Sequence, residues 1–364
     1  MSAKAASRGA SAAAPQRGFD AELAALEGLS DAMKSGAALD GSAVEQLRNA
    51  LHNRNNFLVS KAAKLVADAE VAALLPEVLA AYERFFVDAA KTDPKCWAKE
   101  ALAKALVKLE HRGKDAYLSG LRHHQLERSF GPPVDSAGGL RATCAHGLVV
   151  CPGIADDELV ALLLETLVDS DKSVRVEAAR AIGNVGGKGA ALSLRMRALM
   201  GPVGLDVSTP EVLGAVYAAL LSLEGMQAIP LVAAVLNEEV DEDNSELAAE
   251  AAFALAETRL PEALAVLTAR LGGAVRGRAG HREPDGWFAG VLTSAIAMTR
   301  LPEAFDFLIG LVERDSRQAQ AALEALGRIA PSAELRARVE KVVEATSNER
   351  LLDAFQEHFP RSLP

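Results

Sequence analysis

The string TRLPEA occurs twice, at residues 258–263 and 299–304, an offset of 41 residues that matches the length of a helical hairpin. Before each copy lies an Ala-rich stretch (AAFALAE, then SAIAM), and after it an amphipathic one (LAVLTARL, then FDFLIGLVERD). Proline placed just inside a new helix costs nothing, because the amide it lacks would have had no partner there. The phrase therefore reads as a joint between two helices, and a joint used twice implies a repeated unit.

Looser copies extend the pattern backward. KSVRVEAARAIGNVGG (172–187) has an Ala-Ala-x-Ala-apolar-Gly centre, and FLVSKAAKLVAD, CWAKEALAKALVKL, LRATCAHGLV, VLGAVYAALLSLEG and AQAALEALGRI align with it. The x position falls at Lys64, Lys104, His146, Arg180, near Ala218, at Phe253, near Ile296 and at Glu324, in steps clustering near 40 residues. Small residues at the flanking positions let neighbouring helices approach closely, and each hairpin buries its apolar face only against the next.

Val174, Arg175, Ala178, Ala179, Ala181, Ile182 and Gly183 resemble the inner-helix pattern of the HEAT-repeat family. The resemblance extends over most of residues 43–329 and is closest in the fourth, sixth and eighth units. It implies an all-α fold, a right-handed α-α superhelix of about eight hairpins with a polar C-terminal cap. It also implies a binding role, without naming a ligand, because fold alone does not settle function. The expected organisation is a disordered tail (1–18), an N-terminal capping helix (19–42), the repeat array (43–330) and C-terminal capping helices (331–364).

Composition narrows the function classes. The formal net charge of −10 opposes polyanions at long range, so nucleic acid is not the favoured partner. Three cysteines at irregular spacing make neither a disulfide framework nor a zinc motif, and they suit a reducing, cytoplasmic setting. No apolar run reaches the roughly 18 residues a membrane helix needs. The chain lacks GxSxG, a phosphate-binding loop ending in Gly-Lys-Ser/Thr, and HExxH. No catalytic residue, cofactor or metal site is therefore expected. His111, His123, His124, Glu127, Asp135, Cys144 and His146 crowd one irregular region, but without the paired spacing of a zinc site.

Two surfaces stand out. The x position faces the concave side of such an array, and Lys64, Lys104, His146 and Arg180 make a basic ladder there, with Trp97 and Lys108 on the face of Lys104. The long turns ERSFGPPVDSAGG, MGPVGLDVSTP, NEEVDEDN and GGAVRGRAGHREPDG should emerge along one edge. Asp135 is expected to cap the following helix, and Arg122 with Glu127 to pin the first of those turns. The expected function is a non-enzymatic scaffold that takes a protein partner, with an acidic segment, through Lys64, Trp97, Lys104, Lys108, Arg122, Asp135, His146 and Arg180. A lyase or protein-modifying factor of the bilin-lyase kind is the alternative, and a nucleic-acid-backbone binder the third.

Overall fold

The computed structural model describes residues 14–202, 210–237, 244–272, 286–329, 331–346 and 348–360. The expected tail lies largely outside them, as do three of the four long turns, at 203–209, 238–243 and 273–285. Among the described residues the chain is 77% helical with 20 helices, and its only strands form one two-residue ladder. It divides into two compact units, Met1–Ala155 and Asp156–Pro364.

In the first unit α1 (Ala14–Lys34) packs on α2 (Gly41–Leu51) and α3 (Asn56–Asp68). Three helix pairs follow one pattern: α2 with α3, α4 (Leu75–Arg84) with α6 (Trp97–Lys108), and α7 (Lys114–Leu121) with α8 (Gly138–Leu148). The short α5 (Ala89–Thr92) lies in the α4 to α6 connection. The second members, α3, α6 and α8, pack side by side as an inner row. Their Ala62, Ala63, Ala98, Ala103 and Ala145 are fully buried, which is how the helices come close enough to stack.

The second unit continues the scheme with six pairs. Its outer helices are α9 (Asp156–Leu167), α11 (Gly187–Met200), α13 (Ile229–Leu236), α15 (Pro261–Leu271), α17 (Pro302–Glu313) and α19 (Ala333–Thr346). The inner row is α10 (Lys172–Val185), α12 (Pro210–Glu224), α14 (Ser245–Glu257), α16 (Gly286–Met298), α18 (Ala319–Arg328) and α20 (Glu349–His358). The eight segments marked in the sequence are α3, α6, α8 and the first five of these. Where α10 meets α12, a Cβ on Gly183 would sit 2.8 Å from that of Ala219, so glycine is needed for the approach.

Both TRLPEA copies do join an inner helix to the next outer one. The Thr258 hydroxyl donates to Leu255 O at 2.7 Å and accepts the Leu260 amide at 3.2 Å; Thr299 repeats this with Ile296 O and Leu301 N. Arg259 and Arg300 then take φ of 53° and 55°, left-handed values that turn the chain, and Pro261 and Pro302 open the next helix. A left-handed non-glycine residue costs about 1–2 kcal/mol. Arg259→Gly is accordingly expected to raise stability by up to about 1 kcal/mol in urea titration, since relief of that strain exceeds the added chain entropy.

One marker needs correcting. Ile296 is fully buried, and Ser294, two residues earlier, occupies the half-exposed position equivalent to Phe253. Helix α16 has apolar side chains around most of its circumference, so the residue pattern there leaves the register open.

Candidate functional site

Each inner helix of the first unit leaves a single stripe to solvent. On α3 the exposed residues are Lys61, Lys64 and Asp68; on α6 they are Trp97, Lys104 and Lys108, and on α8 His146. The helices pack side by side, so these stripes form one surface. Glu100 confirms the contact of the last two, because a Cβ on Gly139 of α8 would meet its carboxylate carbon at 2.6 Å. Lys104 pairs with Glu100 at 2.5 Å, and Lys108 and Lys64 have no acidic partner among the described residues.

At one end of this surface lies an aromatic run. Phe57 stands 5.7 Å from Trp97 and 6.4 Å from Phe19, centroid to centroid. Lys61 Nζ lies 5.3 Å from the centre of the Phe57 ring, and Lys95 Nζ lies 5.0 Å from that of Trp97. Trp97 remains 43% exposed, so the cation–aromatic pair faces water rather than the core.

Arg180 has acidic neighbours. It stands on α10 in the second unit, paired with Glu177 at 2.5 Å, in a groove of about 420 Å³ that Glu211, Glu250 and Glu257 also line. Burial, with Glu211 and Glu257 close by, raises the Glu250 carboxyl above its usual range. The contrast holds across the sequence: residues 1–155 carry 19 Lys plus Arg against 17 Asp plus Glu, while residues 156–364 carry 20 against 32. The overall negative charge therefore belongs to the second unit.

A buried cation also recurs at one helical phase in both units. Five residues before Lys104, His146 and Arg180 stand Lys99, Arg141 and Arg175, all buried. Each fastens the connection leading into its own helix. Lys99 Nζ donates to Phe85 O at 3.3 Å, Arg141 to His123 O at 3.0 Å, and Arg175 to Asp169 O at 2.7 Å and Ser170 O at 3.1 Å. None of the three was singled out as a site residue on sequence grounds. The clue in the sequence is helical phase, since Lys99 lies four and seven residues before the buried Ala103 and Leu106, and Arg141 likewise before Ala145 and Leu148.

Around Lys99 and Arg141 a polar network fixes the α7 to α8 connection. Lys99 Nζ also binds Asp93 Oδ2 at 3.0 Å and Gln125 Oε1 at 2.9 Å, with both charged side chains fully buried. Asp93 further accepts the amides of Ala98 and Lys99 and the side chain of Asn56, capping α6 from inside. Gln125 Nε2 donates to Asp93 O and to Glu127 Oε1, and that oxygen also takes the Lys95 amide and the Ser136 hydroxyl. Burial opposes ionisation of Glu127, yet these three donors hold its carboxyl below the usual range.

Asp135 completes the network. It accepts the amides of Gln125 and Ala137, the latter at the N-cap of α8, and contacts the His124 ring and Arg141, each at 2.8 Å. Burial again opposes ionisation, and the four partners outweigh it, keeping the carboxyl well below the usual range. The expected helix cap falls short, because Asp135 reaches only the Ala137 amide that precedes α8 and no side-chain cap bond enters that helix, and Arg122 does not pin the turn with Glu127. Arg122 is exposed and makes no contact with Glu127 among the described residues, and Arg141 does the pinning from within.

The network holds a hairpin of two-residue strands, β1 (Leu126–Glu127) and β2 (Val134–Asp135), paired as Leu126 with Asp135 and Glu127 with Val134. Its apolar side chains Leu126, Phe130 and Val134 all face solvent. No group of three or more His, Cys, Asp or Glu side chains that could hold a metal occurs among the described residues. Burial pushes the Cys96 and Cys144 thiols up to about 12, far from a nucleophilic state at neutral pH. No single helix among the described residues is long and apolar enough to cross a membrane.

No protein-family model and no curated protein matches the chain. Among solved structures it is similar to human deoxyhypusine hydroxylase in complex with glycerol, at 19% identity over 78% of this chain and 91% of that one, with a TM-score of 0.27. An engineered protein is similar at 17% identity over 92% and 95%, also with a TM-score of 0.27. Such distances transfer neither a site nor an activity.

Proposed function

We propose that this helical-repeat chain is a non-enzymatic, cytoplasmic interaction scaffold whose first unit takes an acidic segment of a protein partner on its inner-row face. The observation that carries the proposal is the shared stripe of Lys61, Lys64, Lys104, Lys108 and His146 beside the exposed Trp97. Several cations converging on one face attract a carboxylate-rich segment more than any one of them does, and a half-exposed Trp beside them supplies an apolar anchor. The acidic second unit sets the polarity of binding, because an anionic partner is repelled there and finds favourable potential on the first.

The test compares the full chain with a Lys104→Glu, Lys108→Glu variant in capture from native lysate, read by mass spectrometry at low and moderate salt. Both side chains are exposed, so helicity should be unchanged. An acidic protein retained by the wild type, lost by the variant and weakened by salt is the expected result. Identical protein sets from both would overturn the proposal. Capture of nucleic acid instead, with a steep salt dependence, would favour the phosphate-backbone reading.

A further inference from the structure

The β1–β2 hairpin poses a physical problem. Leu126 and Val134 are 68% and 56% exposed, and Phe130 at the tip is fully exposed, within a segment of only ten residues. Exposed apolar side chains are ordinary when scattered, and the register sets Leu126 on the face opposite Val134, but Val134 and Phe130 stand together as a small patch on one recess. A floppy loop could fold such a patch away. This one is held out by the buried Asp93, Lys99, Gln125 and Arg141, and ordering four polar groups in a core is costly.

The hairpin also makes a groove. Lys95, Glu127, Arg128, Phe130, Val134 and Ser136 line a recess of about 540 Å³. Its two cations, Lys95 and Arg128, have no ion-pair partner among the described residues, whereas its one acid is held against the wall by Gln125, Ser136 and the Lys95 amide. Lys95 is common to the groove and to the Trp97 contact, so the recess adjoins the Trp97 end of the inner-row face. Apolar wall and unpaired cations together fit an occupant that presents an apolar side chain beside a carboxylate.

We infer that this groove is the anchoring subsite for a short peptide segment of the partner, one with an aromatic or aliphatic side chain next to an Asp or Glu. The inference rests on the reading of the first unit as a protein-binding face and specifies where the partner is gripped. The apolar side chain packs against Phe130 and Val134, and the carboxylate meets Lys95 and Arg128. The buried network keeps the hairpin in its bound posture beforehand, which lowers the ordering cost of association.

The probe is a displayed library of random dodecapeptides, selected on the full chain and followed by titration of the enriched peptides as labelled synthetic molecules. Enriched sequences should place Asp or Glu within three residues of Phe, Trp or Leu. Their affinity should fall about tenfold or more in Phe130→Ser, Val134→Ser, and about three- to tenfold in Lys95→Gln, Arg128→Gln. All four positions are exposed, and an unchanged thermal transition checks that each variant is folded.

Peptides without that pairing, or equal affinity for wild type and both groove variants, would overturn the inference. So would a doubled mass in light scattering that Phe130→Ser, Val134→Ser abolishes, which would give the groove to a second copy. Binding of an oligothymidylate lost in Lys95→Gln, Arg128→Gln would give it to nucleic acid and overturn it equally. Peptides lost on Lys104→Glu, Lys108→Glu but retained on the groove variants would refute the groove and leave the inner-row face standing. The converse pattern would support the groove and refute the face.

Discussion

Lys99→Met is expected to destabilise the first unit by about 3–5 kcal/mol, the largest effect of any single change to the buried network. The substitution fills the same space but leaves Asp93 as a buried carboxylate without its cation. It also frees Phe85 O and Gln125 Oε1 from their shared donor. Asp93 still accepts the Ala98 and Lys99 amides and the Asn56 side chain, so the loss is partial in hydrogen bonds and full in charge. Urea denaturation followed by circular dichroism should show the first transition at lower denaturant, with the second unit melting as before. A shift below about 1 kcal/mol would mean that the pair is not the structural support assigned to it. Replacing both members, Lys99→Met with Asp93→Leu, should restore part of the stability through removal of the orphaned charge, although the α6 cap goes with it. The same double variant should weaken peptide capture at the hairpin, because Gln125 loses the Lys99 donor at its Oε1 and keeps only main-chain Asp93 O and Glu127 at its Nε2.

How much of this was legible in the sequence differs between the repeat and its surface. TRLPEA told of a helix joint because its residues act on their immediate neighbours. Thr bonds back to the helix, Arg turns left-handed, and Pro opens the next helix. Such contacts span four residues or fewer, and local chemistry leaves a local pattern. The exposed ladder was legible for a similar reason, since Lys64, Lys104 and His146 break an Ala-rich stretch at one phase. Lys99, Arg141 and Arg175 broke it too, five residues earlier, but a cation in the inward phase reads as noise until its partners are known. Those partners lie far along the chain, as with Gln125 for Lys99, or are backbone carbonyls, which no residue type announces. The hairpin was legible only as an insertion. Two strands of two residues are too short for alternation to register, and the groups that fix them come from residues 93, 99 and 141. Arg180 shows the opposite limit. Its phase matches the ladder, yet Glu177, Glu211, Glu250 and Glu257 surround it with the opposite charge.

Asp135→Asn is expected to cost about 3 kcal/mol at neutral pH and to flatten the acid limb of the stability curve. In the native protein the carboxylate accepts from two amides and faces Arg141, which is almost fully buried and gains from the opposing charge. Asparagine keeps one oxygen acceptor and turns an amide donor toward the guanidinium, so the charge contact becomes a repulsion between donors. The sign of the pH dependence follows from the depressed folded pKa. A carboxyl that ionises more readily in the folded state contributes its full stabilisation above the unfolded value near 4, and loses it as pH falls from there toward the folded value. The wild type should therefore weaken steeply below about pH 4, where Asp135→Asn, having no proton to gain at this position, weakens less, and the two curves should converge. Parallel curves over that range would mean that Asp135 ionises as an ordinary surface carboxylate and that Arg141 holds the hairpin without it. Because Asp135 pairs with Leu126 across the ladder and fastens the residue that precedes α8, peptide capture at Phe130 and Val134 should weaken together with stability. Capture that persists while stability falls would separate the posture of the hairpin from the network beneath it.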